Sequence, residues 1–404
     1  MKIIIDTTKN IIPRIIIGTI FILVLMGIIA YARGYRFNID ERTISSTGIL
    51  SVTSDPKPAS VFLDKELVGA TDENLTLPYG QYTIEVRKEG YTSWRKNISL
   101  KGEIVMSLNA ILFSKNPSLT PLTNLGVNVV LPIENTDKLV LVSQTGDAEK
   151  DGIYLFEPSN RPAVIFPPLK LLLTAALLPI DVDMVTATAD FAPNHRQSIL
   201  TFIREDETTI SYLIALDQEN TELVDVTSSR DNIVAAWQEE KETEIVKIIE
   251  TLPPELEKIA SDSFRIIALS PDEKKVMYIA QEDATLPLVI DPPLIGANQT
   301  PEERSVQAGT MYIYDKKEDK NFRLPIDPLN QATVIWYPTS DYVAVQEDNN
   351  IVMIQYDGSN KEIVYAGPYD PAFFGISPDW NLIVVINLNP KLNKYGDLYS
   401  VGIR

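Results

Sequence analysis

The chain has 404 residues, with 36 basic and 55 acidic side chains (formal charge −19), one histidine (His195) and no cysteine. That excludes disulfides, thiolate metal sites and cysteine nucleophiles, and it leaves histidine-based metal or Ser–His–Asp chemistry a single possible contributor. Beyond residue 36 the balance is 31 basic to 54 acidic, or −23, which repels phosphate backbones and argues against nucleic acid as a partner.

The first predicted element is an uncharged apolar run, Ile15–Tyr31, flanked by Arg14 and by Arg33 and Arg36. Its seventeen residues span about 26 Å at 1.5 Å each, close to a bilayer core of about 30 Å. Ile15, Ile16, Ile17, Phe21, Leu23, Leu25, Ile28, Ile29 and Tyr31 are therefore the predicted anchor of a single transmembrane helix over 15–31. Residues 1–14 form its cytoplasmic flank, and Pro13 stands near the entry, where a first-turn proline costs a helix little. A cleaved secretory signal is the competing reading. Lys2, Lys9 and Arg14 give a basic start and Ala30-Tyr31-Ala32 a small-x-small site, but the run exceeds a signal core of roughly 7–15 residues. Basic residues flank both ends, so the positive-inside rule does not orient the helix. Residues 32–47 read as a linker.

From Gly48 to about Leu108, apolar and polar residues alternate in short runs: Leu50 and Val52, then Ala59, Val61 and Leu63, then Tyr82, Ile84 and Val86. Period two, punctuated by Asp55-Pro56-Lys57-Pro58, Pro78-Tyr79-Gly80 and Glu89-Gly90-Tyr91, predicts half-buried antiparallel strands. The segments 51–71 and 77–94, with Gly69, Gly80, Tyr82, Gly90 and Tyr91 in order, are similar to PEGA domains. Pro58 departs from the glycine often found before the alanine there. The resemblance implies a small β-sandwich-like module over 48–110, a spacer or interaction unit outside the membrane, with Tyr82, Tyr91 and Trp94 in sheet packing.

Beyond Pro117 a degenerate repeat couples a proline turn to an apolar strand. Ser270-Pro271-Asp272 precedes Val276–Ala280, Tyr337-Pro338 precedes Tyr342–Val345, Ser377-Pro378-Asp379 precedes Leu382–Ile386, and Ala192-Pro193-Asn194 precedes Ile199–Ile203. Pro338 and Pro378 are 40 residues apart, the length of a four-stranded propeller blade. Pro193 and Pro271 are 78 apart, which predicts a hidden copy near Asn232–Trp237. Copies near 135, 193, 232, 271, 338 and 378 predict six blades over 118–404, closed by a strand from Gly126–Leu131. The pattern resembles TolB-like or WD40-like β-propellers; seven blades, or a pair of β-sandwiches, are the alternatives.

Two segments interrupt the repeat. Leu169–Ile180 is apolar but only twelve residues long, too short to span a bilayer, and reads as a buried element or a partner-facing patch. Gln281–Gln307 carries four prolines and reads as an extended insertion, with Pro292 and Pro293 as candidate partner contacts. Trp380 stands in a turn that ordinarily holds a small polar residue and is the third candidate contact. His195 occupies the equivalent turn of another copy and reads as a solvated turn residue.

No phosphate-cradling glycine loop, Walker lysine, His/Cys cluster or Gly-x-Ser-x-Gly elbow is present, so no catalytic residue, metal or cofactor is assigned. The expectation is a mainly β chain: transmembrane helix, PEGA-like β-sandwich, then a six-bladed β-propeller. The resemblance implies a single-pass cell-membrane protein with a large extracytoplasmic part. It would be a non-catalytic scaffold presenting the propeller to a protein or cell-envelope glycan. The alternatives are a glycan-active enzyme with two carboxylates converging in the channel, one of raised pKa, and a cytoplasm-facing scaffold.

Overall fold

The computed structural model describes residues 2–32, 35–38, 43–158, 168–326, 333–391 and 394–404. They fall into two units, Met1–Leu112 with Leu294–Gln299, and Phe113–Pro293 with Thr300–Arg404.

The first unit opens with helix α1, Lys2–Ala32. It begins well before the predicted entry, so Pro13 lies inside the helix, where it removes one backbone hydrogen bond instead of none. The segment predicted as a linker contains a strand, Tyr35–Asn38, paired antiparallel with Thr43–Ser46. The same long strand, Thr43–Asp55, then pairs antiparallel with Glu73–Pro78 and parallel with Val105–Ile111. A second sheet orders Glu66–Ala70, Ser60–Leu63, Gly80–Arg87 and Trp94–Leu100. Leu50, Val52 and Met106 from one sheet and Val61, Ile84, Val86, Trp94 and Leu100 from the other are buried. Their alternation along each strand follows from the pleat.

The second unit contains, among its described residues, five four-stranded antiparallel sheets consistent with propeller blades. Four are meanders in chain order, starting at Val129–Pro132, Val182–Phe191, Phe264–Leu269 and Val334–Trp336. The fifth takes Phe374–Ile376, Leu382–Ile386 and Asp397–Gly402 from the C-terminal end and Ser118–Pro121 from the beginning of the unit. Joining last to first in this way covers the edge a terminal sheet would expose. Closure therefore uses Ser118–Pro121, not Gly126–Leu131. Of the latter, Val127 makes one isolated bridge to Gly396, and Val129 onwards already belongs to the first sheet. Gly126 sits at φ +78°, which turns the chain between the two.

Among the described residues there are five four-stranded sheets in this unit, where six blades were predicted. The expected copy at Asn232–Trp237 is helical: α2 spans Arg230–Ile249 and α3 spans Pro254–Ser263. The reason is local. The run from Ile233 to Ile249 has no proline and is rich in Ala, Glu, Lys and Gln, strong helix formers. Its half-buried positions 233, 237, 241, 245 and 248 recur at helical spacing. Leu256 and Ala260 of α3 share a core cluster with Phe264, Tyr278 and Tyr312 of the third sheet. Arg230 of α2 pairs with Asp190 of the second sheet at 2.7 Å.

The proline turns behave as one repeated device. Each of the five turns after an innermost strand closes an i→i+3 backbone hydrogen bond and holds one non-glycine residue at positive φ: Asn135, His195, Glu273, Ser340 and Trp380. In the third sheet the Ser270 hydroxyl donates to Asp272 at 2.7 Å and accepts the Lys275 N–H at 2.9 Å. Burial pushes the Asp272 carboxyl up, but the Ser270 hydroxyl, the Lys274 N–H and the Lys275 charge outweigh it and lower the pKa to about 2. A depressed folded value means this contribution is complete above about pH 4 and is lost as the pH falls towards 2. Urea unfolding across that range should therefore show a weaker acid dependence in Asp272→Asn than in the parent chain, and an identical dependence would refute the assignment.

Candidate binding cavity

A cavity of about 760 Å³ opens inside the second unit. Its walls come from the innermost strands of three sheets, Ile267–Leu269, Val334–Trp336 and Phe374–Ile376, and from the turn Pro132–Asp137 that follows the first strand of a fourth. The three strand segments lie just before proline turns, so in those sheets the device that shapes the blade also delivers its inner strand to the cavity. The volume lies within the usual range for small-molecule and peptide-segment pockets.

The lining is mostly apolar. Its carboxylates are Glu134 and Asp137, both on one turn. Lys241 of α2 pairs with Glu134 at 2.6 Å, where the glutamate side chain is 66% exposed. An exposed pair of this kind is worth about 0–1 kcal/mol. Among the described residues no group of three or more His, Cys, Asp or Glu side chains is arranged to hold a metal. Glu362, whose carboxyl burial pushes upwards, lies in the outer strand of the fourth sheet and does not line the cavity. What this geometry offers is an apolar hollow with an acidic rim.

The sequence-predicted contacts lie elsewhere. Trp380 is half-buried between neighbours: its carbonyl accepts the Tyr337 hydroxyl at 3.0 Å and the Arg404 guanidinium stacks on its ring at 3.8 Å. Its packing role follows from the left-handed turn position it occupies. Pro292 and Pro293 are exposed in the insertion. Along α1 the side chains of Ile16, Ile17, Phe21, Leu23, Leu25, Ile28, Ile29 and Tyr31 are exposed, while that of Ile15 lies outside the described residues. No helix is long and apolar enough to cross a membrane among the described residues. Within Leu169–Ile180, Leu172 and Leu173 are buried in the last strand of the first sheet, and Ile180 is fully exposed.

The insertion after the third sheet's second strand is pinned by a buried polar network that sequence reasoning missed. Asp319 accepts the N–H groups of Val289 (2.7 Å) and Ile290 (2.8 Å) and the Tyr314 hydroxyl (2.8 Å). Arg304, from the far end of the insertion, pairs with Asp319 at 3.2 Å and with Glu302 at 3.1 Å, and donates to the Pro287 carbonyl.

The PEGA domain family model matches residues 47–116. A search of curated proteins finds no match. Among solved structures the chain is similar to TolB from Acinetobacter baumannii at 9% identity, over 81% of this chain and 62% of that one, with a TM-score of 0.23. It thus spans less than two thirds of that protein's length. The β-propeller domain of the Trilobed protease from Pyrococcus furiosus matches at 10% identity, over 89% and 96% of the two chains, with a TM-score of 0.22. The Pyrococcus horikoshii acylaminoacyl peptidase matches at 11% identity, over 68% and 38%, with a TM-score of 0.19. The propeller assignment itself rests on the five sheets and their closure through Ser118–Pro121. Residues 47–116 are a PEGA domain, and the chain after them has a β-propeller-like fold.

Proposed function

We propose that this chain is a non-catalytic scaffold tethered by α1 to the cell membrane, with its PEGA domain and propeller-like unit outside the cytoplasm, where the propeller receives a protein or cell-envelope glycan. One observation carries the tether: α1 exposes every large apolar side chain described between Ile16 and Tyr31, so its outer surface is suited to lipid and not to water. The apolar hollow with its acidic rim supports a binding role for the propeller.

Fractionation combined with protease shaving of intact cells tests this reading. The full chain should stay with membranes washed at high pH, and a variant lacking residues 1–32 should move to the soluble fraction. Protease added outside should degrade the propeller. A propeller that survives while a control surface protein is cleaved overturns the export.

A further inference from the structure

In the first unit, exposed apolar side chains gather at the end closest in the chain to α1. Ala32, the last residue of α1, is three residues from Tyr35, hence within about 11 Å, and Tyr35 pairs with Ser46. The Tyr79 N–H donates to the Ser46 carbonyl at 3.1 Å and the Glu103 N–H to the Thr47 carbonyl at 3.0 Å, which puts both loops at that end. Ile49 and Val105 stand side by side in register just beyond, 42% and 65% exposed. Tyr79 is 64% exposed.

Leu294–Gln299 belongs to this unit and is held at the same end. The Gln299 side-chain amide accepts the Ser99 N–H and donates to the Ser99 carbonyl at 2.9 Å, pairing with the edge strand as a peptide group would. Ser99 lies two residues before the 101–104 loop that carries Glu103. Ala297 bonds back to Leu294, and Gly296 at φ +80° tightens the turn. Leu294 and Ile295 are left outward at 44% and 74% exposure.

We propose that this end of the PEGA unit rests on the lipid bilayer, with Tyr79, Leu294 and Ile295 entering the headgroup layer beside α1. The proposal depends on the reading that α1 lies in the membrane. Charge favours a lipid surface over a second acidic protein face. Residues 33–112 hold ten basic and ten acidic side chains, whereas 113–404 hold 23 and 44. This unit, neutral as a whole, can approach anionic headgroups that would repel the rest of the chain. Aliphatic side chains and a tyrosine at its tip suit the interface between headgroup and acyl chain.

The absence of cysteine makes the test clean. Tyr79→Cys, Ile295→Cys and the control Ile180→Cys, each in the full chain, would be labelled with an environment-sensitive fluorophore. Each would then be reconstituted into phosphatidylethanolamine–phosphatidylglycerol vesicles with or without a lipid bearing a nitroxide high on its acyl chain. The expected result is flotation of all three proteins with the vesicles, a blue shift and nitroxide quenching at 79 and 295, and neither at 180. A chain that does not float overturns the tether and this proposal with it. A chain that floats with 79 and 295 unquenched, or with 180 quenched as strongly, overturns the lipid contact alone.

Discussion

Asp319→Ala is expected to lower the stability of the second unit by about 3–5 kcal/mol, the usual loss when one member of a buried charged pair is removed. The Asp319 side chain is 1% exposed and serves two backbone N–H groups, a tyrosine hydroxyl and the Arg304 guanidinium. Alanine removes the acceptor of the Val289 and Ile290 N–H groups and of the buried Tyr314 hydroxyl, and leaves Arg304 only Glu302 and backbone carbonyls; each buried unsatisfied group costs about 1–3 kcal/mol before the loop relaxes. The part of the Gln281–Gln307 insertion around Val289 and Ile290 should loosen first, because both of its N–H groups bond to Asp319. Hydrogen exchange of those amides and urea unfolding would measure the two effects, and a loss below about 1 kcal/mol would show that the network is dispensable.

The same carboxylate sets an acid limit. Burial pushes its pKa up, but the Ile290 N–H, the Tyr314 hydroxyl and Arg304 outweigh burial and hold it below the ordinary value. Its folded value is depressed, so its stabilisation is complete above the unfolded pKa and is lost as pH falls below it. Asp319→Asn keeps an acceptor but not the charge. It should be milder than alanine at neutral pH and should differ little from the parent chain in strong acid.

Phe113→Ala is the second large effect, about 3–5 kcal/mol for emptying a buried aromatic site. Phe113 is 1% exposed and meets Tyr337 at 5.9 Å and Tyr342 at 5.3 Å, both edge to face. It lies just ahead of the closing strand, and the neighbouring Ser114 N–H bonds to the Ile403 carbonyl at 2.8 Å. The cavity therefore falls where the fourth sheet meets the segment that completes the fifth. Thermal unfolding should show a midpoint lower by several degrees for the propeller transition. The amides of Ser118, Leu119 and Thr120 should exchange faster than those of the second sheet. Equal exchange in both would mean that Phe113 has no part in closure.

Much of the fold is readable in particular residues. The alternation through Leu50, Val52, Val61, Ile84 and Val86 marks the PEGA strands because a half-buried strand has period two wherever it occurs. The proline turns at 193, 271, 338 and 378 mark four blades because proline and Asp or Ser confine the turn whatever surrounds it. The first blade's turn, with Asn135 at positive φ, has no proline and carries a weaker local mark. Spacing then misled at 232, where two periods of length were filled by α2 and α3 instead of a blade. The helical pattern there was weak because α2 buries no residue fully.

The cavity was not readable at all. Its lining triplets, such as Val334–Trp336 and Phe374–Ile376, are apolar strand segments like any others, and they become a wall only when four sheets stand around one space. By itself the sequence determined the apolar helix, the PEGA pattern and the turn chemistry, since each depends on neighbours a few residues away. The tertiary structure alone decided the choice of Ser118–Pro121 as the closing strand, the Asp319–Arg304 bolt and the placement of Leu294–Gln299 with the first unit. Each joins groups remote in the chain, and local propensity carries no information about which distant partner a strand edge or a buried charge will meet.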